Sequence, residues 1–196
     1  MEFDEATAIL LGDGLQSLAF EMISSSNLGL KENTKLKIIS DLSQSIGFNG
    51  MVGGQMMDLI SEGRYNQFSP DEKYIMQTQK LKTGALITFS LKAGGLIGGA
   101  NKEELIILEK FGEKIGLAFQ IIDDILDCTS SENELGKSVD ADIKLGKTTF
   151  VTLLGLQESK NKVKKLIQEA KIEISKISKD VEKLIMLAEF VEYRKN

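Results

Sequence analysis

The 196-residue chain contains no histidine at all. Catalytic triads, imidazole acid–base chemistry and His-ligated zinc are therefore excluded from it. It has one cysteine, Cys128, which cannot build a disulfide framework within the chain and fits a reducing compartment. Beside Asp127 that thiol reads as packing rather than as a nucleophile. Excess positive charge is also lacking: the formal net charge is -5, and the lysines are scattered or confined to the C-terminal third, which argues against a nucleic-acid footprint. No positively charged leader with an apolar core opens the sequence, and no apolar run reaches membrane-spanning length, so a soluble, cytoplasmic protein without a membrane span is expected. Alternating β-branched runs and repeats of fixed period are missing too, which leaves an all-α chain. Its length suits a single domain, 1–196, with a proper core.

What is present is helical periodicity. Residues 5 to 26 carry Ala8, Leu11, Leu15, Leu18, Ala19 and Met22 at helical spacing, and the segment ends in the loop signal Ser24-Ser25-Ser26-Asn27. This helix begins almost at Met1 with no cap leading into it, a hint that the chain is entered midway. Asn33 is a plausible cap for a second helix with Leu36, Ile39, Leu42 and Ile46 on its face, and a third segment runs from Gly50 to Leu59. The glycines there suit close helix packing, with a substrate-lining role for Gln55 and Asp58 as the alternative. Ser69-Pro70-Asp71-Glu72, which holds the only proline, predicts a helix start with Ser69 as cap and Pro70 at the first helical position. That helix should break locally at Lys80-Leu81-Lys82-Thr83-Gly84 and resume from Ala85 to Ala100. The last helices, 158–178 and 180–194, are strongly charged and read as a solvated outer layer.

The centre of the chain is Gly116 to Asp127, an apolar helix interrupted by carboxylates. At about 100° per residue, Gln120, Asp123, Asp124 and Asp127 fall within roughly a third of the circumference, while Phe119, Ile121, Ile122, Ile125 and Leu126 cover the rest. No Lys or Arg occurs between Lys114 and Lys137, so no cation on the same helix neutralises the acids. At about 6 Å and an effective dielectric near 20, each acidic pair costs on the order of 2 to 3 kcal/mol. A divalent cation is the natural compensation, and hard oxygen donors without His or thiolate favour Mg²⁺. The alternative is that the three aspartates are the wet face of a surface helix.

Three stretches imitate phosphate loops and fail the pattern. Gly94-Gly95-Leu96-Ile97-Gly98-Gly99 lacks the required spacing and a preceding strand, so it reads as a helix end and turn; Gly136-Lys137-Ser138 and Gly146-Lys147-Thr148 have Ser131 and Ala141 where the upstream glycine is needed. What remains is an acidic stripe, a Lys-Thr-Gly break, and Lys137 and Lys147 just beyond the acids. Cations and carboxylates of this kind suit a diphosphate, with apolar helix faces for an oily tail.

Phe119-Gln120-x-x-Asp123-Asp124-x-x-Asp127 resembles the second aspartate-rich motif of the trans-prenyl diphosphate synthases of farnesyl/geranylgeranyl type. Phe3 to Asp13, Gly53-Gly54-Gln55-x-x-Asp58-Leu59, Lys82-Thr83-Gly84, and Gly136-Lys137 with Asp140-Ala141-Asp142-x-x-x-Gly146-Lys147-Thr148-Thr149 resemble further family signatures in family order. The resemblance implies an isoprenoid synthase-type helical bundle around a central cavity, a homodimer, and a Mg²⁺-dependent condensation of isopentenyl diphosphate with an allylic diphosphate, farnesyl diphosphate being the expected product. It implies Asp123 as a direct Mg²⁺ ligand, Asp124 and Asp127 as ligands or water-mediated support, and Asp142 behind a metal-bound water. Lys82, Lys137 and Lys147 would hold the allylic diphosphate, Thr83 and Gln120 would face the developing cation, and Phe119 would pack near the second substrate. The family's first aspartate-rich motif and the histidine it uses for isopentenyl diphosphate are not among these residues, so the chain alone is expected not to catalyse condensation. Geranylgeranyl diphosphate synthase, class I terpene cyclase and a non-catalytic helical partner subunit are the alternative readings.

Overall fold

The structure, a computed structural model, describes residues 4–25, 29–62, 69–135 and 148–194, with backbone alone at 130–135. These residues are helical, with no strand among them. They divide into two compact units, Met1–Ser43 and Gln44–Asn196.

The first unit holds α1 (Glu5–Ser24) and most of α2 (Glu32–Ile46). Contrary to the expectation of an uncapped start, α1 is capped: the Asp4 carboxylate accepts the Thr7 amide at 2.9 Å and the Thr7 hydroxyl at 2.9 Å. Helix α1 buries none of its residues, and Leu11 and Leu15 are 57% and 58% exposed. In α2 the buried face is Lys35, Ile38 and Leu42, one position away from the expected Leu36, which is exposed. The helix begins at Glu32, so Asn33 lies inside its first turn and is not its cap.

In the second unit, α3 (Met51–Ser61) precedes α4 (Glu72–Gln79), which starts two residues later than expected. Asp71 is the cap, its carboxylate accepting the Tyr74 amide at 2.8 Å; an Asp next to the helix displaces Ser69 from that role. The expected break is real: Lys80–Gly84 form one π-helical turn, after which α5 (Ala85–Ile97) resumes. The glycine run after it ends the helix and turns the chain, as expected, with Gly99 at φ 73° and the Ala100 amide donating to the Gly95 carbonyl.

Helix α6 (Lys102–Leu135) is the axis of the unit, packing against α5, the π turn, α7 (Phe150–Leu154), α8 (Leu156–Ile174) and α9 (Glu182–Tyr193). Phe111, Ile115, Ala118, Ile121 and Ile125 of α6 meet Val163, Ile167, Ala170 and Ile174 of α8 in the core. Each large apolar side chain so buried contributes about 1.5–3 kcal/mol. Helix α8 is thus more than a solvated layer: its outer side carries the charge, while a stripe at Ser159, Val163, Ile167, Ala170 and Ile174 walls the core. Cys128 is buried, in keeping with a packing role.

Candidate active site

The Lys-Thr-Gly turn is placed by two glycines on its neighbours. A Cβ on Gly54 of α3 would lie 2.2 Å from the Lys82 backbone nitrogen, and a Cβ on Gly116 of α6 would lie 2.8 Å from the Gly84 Cα. Only glycine lets these backbones approach so closely. The π turn is therefore clamped between α3 and α6, and the packing role expected for the α3 glycines holds at Gly54.

Within that clamp the polar side chains Lys80, Lys82 and Thr83 each have a partner, Lys80 an ion pair with Glu113. Lys82 Nζ donates to Asp58 Oδ2 at 2.5 Å; Asp58 is 4% exposed, whereas the Lys82 side chain keeps 29% of its surface. The buried carboxylate fixes an ammonium that still reaches solvent. Tyr74 closes the site from α4, its hydroxyl donating to the Met57 carbonyl at 3.0 Å. Burial, and then the negative charge of Asp58, raise this phenol above its ordinary pKa of 10.0. Thr83 points the other way, its hydroxyl donating to Gln120 Oε1 at 3.0 Å. That bond spans 37 residues of sequence and joins the turn to the acidic stripe of α6.

The stripe itself is not uniform. Asp127 is exposed and Asp123 half-buried, but Asp124, at the opposite edge from Asp123, is 8% exposed and accepts the Phe150 amide of α7 at 3.1 Å. A carboxylate at the first amide of a helix satisfies an orphan donor there. At the other edge the structure supplies a residue that sequence reasoning missed. Arg194, just past α9, donates through Nη2 to Asp123 Oδ1 and to the Phe119 carbonyl, the latter at 3.3 Å. Its guanidinium lies over the Phe119 ring, 3.8 Å from the centroid. The Arg194 side chain is 9% exposed, its Nε is buried without a partner, and burial lowers its pKa. Its one mark in the sequence is rarity: Arg194 is one of two arginines in the chain, beside Arg64, and no helical spacing ties it to the acids of α6.

The structure thus brings together Lys82, Thr83, Gln120 and Asp58, and joins Phe119 to Asp123 through Arg194. Gln55 is exposed one turn before Asp58, at the edge of an apolar groove of about 590 Å³ lined by Phe48, Met51, Val52, Met56 and Leu59. Lys137, Asp142 and Lys147 lie outside the described residues. No group of three or more carboxylate or thiolate ligands converges on one point among the described residues. A hard divalent ion still fits Asp123 and Asp127, because Mg²⁺ is commonly held by one or two carboxylates, with other positions left to water and phosphate. The pull of the stripe on a cation is visible in Arg194, which stands at Asp123 with one donor unsatisfied.

Comparison with known proteins places this geometry in context. The polyprenyl synthetase family pattern matches residues 1–187. Farnesyl diphosphate synthase of Haemophilus influenzae is 42% identical over 198 residues, covering 100% of this chain and 65% of that protein. Geranylgeranyl diphosphate synthase of Cyanophora paradoxa is 37% identical over 194 residues, covering 99% and 64% respectively. A crystal structure of an FPP/GFPP synthase from Zymomonas mobilis superposes with a TM-score of 0.84 at 35% identity, over 97% of this chain and 62% of that one. A geranyltransferase from Helicobacter pylori, complexed with magnesium and isoprenyl diphosphate, gives 0.77 at 32% identity, over 97% and 60%. This chain spans just over half to just under two thirds of the length of the curated relatives it matches. Because the match runs through the π turn and the acidic stripe alike, the chain belongs to the polyprenyl synthetase family.

Proposed function

We propose that this chain carries the diphosphate-ionising half of a trans-prenyltransferase that joins isopentenyl diphosphate to an allylic diphosphate. The observation that carries the reading is the Thr83–Gln120 hydrogen bond, which docks an anchored ammonium, Lys82, onto the acidic stripe of α6. Names of the relatives support the same class of reaction.

Lys82 is the point charge for a diphosphate oxygen, and Asp58 keeps it aimed by pinning one side of the ammonium. Asp123 and Asp127 would hold Mg²⁺, with Asp124 tied to the Phe150 amide beside them; bound there, the ion would draw electron density onto the leaving diphosphate. As the allylic carbon–oxygen bond breaks, its electron pair goes to the diphosphate and positive charge grows on the allyl group. The Thr83 and Gln120 oxygens are the nearby dipoles that can turn toward that charge. The alkene of isopentenyl diphosphate supplies the electrons of the new carbon–carbon bond, and the adjoining carbon then gives up a proton, which the released diphosphate can accept, to restore a double bond. Phe119 packs beside that second substrate, and the apolar face of α3, with Gln55 at its edge, suits a prenyl tail. Lys137, Lys147 and Asp142 join the site on the family resemblance.

The proposed product is farnesyl diphosphate, and the proposed setting is a cytoplasmic homodimer, for which the exposed apolar residues of α1 speak. No helix among the described residues is long and apolar enough to cross a membrane.

The test is isothermal titration of geranyl diphosphate into the full chain with and without Mg²⁺, beside a condensation assay with product sizing. Metal-dependent binding is expected, without turnover by this chain alone, since its 196 residues contain one aspartate-rich motif. Binding that ignores Mg²⁺, or that persists unchanged in Asp123→Asn, would remove the acidic stripe from the site.

A further inference from the structure

Tyr74 and Lys82 lie on one continuous run, α4 and the π turn, and they grip neighbouring residues of α3. The Tyr74 hydroxyl donates to the Met57 carbonyl at 3.0 Å, and Lys82 Nζ donates to Asp58 Oδ2 at 2.5 Å. In an unbroken α-helix the two side chains would stand about 80° apart around the axis; the wider π turn winds more slowly and draws Lys82 back toward the face of Tyr74. The Met57 carbonyl belongs to the same planar peptide as the Asp58 amide, so a donor that fixes this oxygen fixes the plane from which the Asp58 side chain hangs. The peptide on the other side of Asp58 is held as well, its carbonyl accepting the Ser61 hydroxyl at 2.7 Å and the Glu62 amide at 3.1 Å. Tyr74 is itself pinned at both ends of its backbone. Its amide donates to the Asp71 carboxylate at 2.8 Å, and its carbonyl accepts the hydroxyl of Thr78, a residue 1% exposed, at 2.9 Å.

We propose that Tyr74 is a positioning residue of the diphosphate site: its hydroxyl sets the tilt of the Met57–Asp58 peptide and, through the Asp58 carboxylate, the aim of the Lys82 ammonium. The inference rests on the reading of Lys82 as the point charge for a diphosphate. Two tasks are thereby divided between α3 and α4. Asp58 supplies the countercharge that holds Lys82, and Tyr74 supplies the direction in which that charge is held, acting through Asp58 and not on the ligand. A hydrogen bond of this kind is worth most where the group it orients is buried and has few other positions open to it, and Asp58 is 4% exposed.

The test is a double-mutant cycle read by titration of geranyl diphosphate, at fixed Mg²⁺, into the full chain. Tyr74→Phe removes the hydroxyl and keeps the ring; it should weaken binding about fivefold, within the range of one hydrogen bond, and leave Mg²⁺ affinity in the absence of substrate unchanged. In an Asp58→Asn background, where the carboxylate that transmits the effect is gone, the same substitution should cost less than about 1.5-fold. Placing 4-aminophenylalanine at position 74 returns a neutral donor to the same point and should restore the affinity of the parent. A loss of equal size in both backgrounds, or no recovery with the amino group, would overturn the positioning role. Parent-like binding by Tyr74→Phe beside weakened binding by Lys82→Met would overturn it too, and would leave Lys82 in the site. Undiminished binding by Lys82→Met would overturn the reading of Lys82 itself, and the inference with it.

Discussion

Lys82 and Asp58 are 24 residues apart in the chain and 2.5 Å apart in space, and the carboxylate is the more deeply buried of the two. The pair therefore works as an anchor, with the acid fixed in the protein and the ammonium at the edge of the site. Replacing the acid by its neutral isostere leaves the ammonium without its counterion and the burial unchanged.

In Asp58→Asn, the diphosphate affinity of the chain should fall about tenfold, since Lys82 loses its aim rather than its charge. Stability should fall by about 1–3 kcal/mol, less than for a fully buried pair because Lys82 keeps contact with water. Tyr74 provides an independent readout. Its phenol is raised by burial first and by the Asp58 charge second, so the substitution should lower its titration midpoint only part of the way toward 10.0. A phenol whose folded pKa is raised contributes stability that is full below its unfolded value and is lost as pH rises through the folded one. The alkaline loss of stability should accordingly be shallower in the variant. Tyrosinate absorbance against pH and urea midpoints measure the two effects.

The glycine clamp makes a prediction of opposite sign at two positions. A Cβ at Gly54 meets three backbone atoms of Leu81 and Lys82 within 2.8 Å, none of which can rotate away. Gly54→Ala should cost about 1–3 kcal/mol and weaken diphosphate binding, because α3 must retreat from the π turn. Gly94, within α5, has nothing within 4 Å of a Cβ, so Gly94→Ala should instead stabilise by about 0.5–1 kcal/mol through helix propensity. Paired urea denaturation curves distinguish a clamp from a mere preference for small residues.

The Thr83–Gln120 bond is the joint between turn and stripe. Thr83→Val keeps the shape and removes the hydroxyl, which should cost about 0.5–1.5 kcal/mol in stability. Mg²⁺ binding in the absence of substrate should stay unchanged. Mg²⁺-dependent binding of geranyl diphosphate should weaken, because Lys82, next to Thr83, is no longer held in register with the acids. Equal losses in both titrations would mean that the bond supports the whole helix pair rather than the site.

Much of this was legible in the sequence because it is local. Helical periodicity, the break at Lys80 to Gly84 and the turn after α5 depend on neighbours within a few residues, and each stands close to where its pattern places it. Helix starts differ from their patterns because adjacent residues compete for the same orphan amides: Asp71 sits closer to the first turn than Ser69, and Asp4 caps α1 from the residue just before it. The inner face of α8 was hidden by its lysines, which cover the outer side of the same turns. What the sequence could not expose was a partner far along the chain. Arg194 is 71 residues from Asp123 and Phe150 is 26 from Asp124, and no periodicity links either pair.

That last contact separates acids that look alike on a helical wheel. Asp124 accepts an amide belonging to Phe150, a residue with no exposed surface, so Asp124→Ala strands a buried donor and should destabilise the chain by about 1–3 kcal/mol. Asp124→Asn retains an oxygen acceptor and should lose less than half as much. Asp127, by contrast, is exposed, and Asp127→Asn should leave stability within about 0.5 kcal/mol of the parent while weakening Mg²⁺ binding. Thermal denaturation and Mg²⁺ titration of the three variants therefore sort the stripe by role. If Asp127→Asn bound Mg²⁺ as the parent does, Asp123 would be the single metal-holding acid of α6; if Asp124→Ala were as stable as the parent, the start of α7 would be held by Thr149 and its hydroxyl contacts alone.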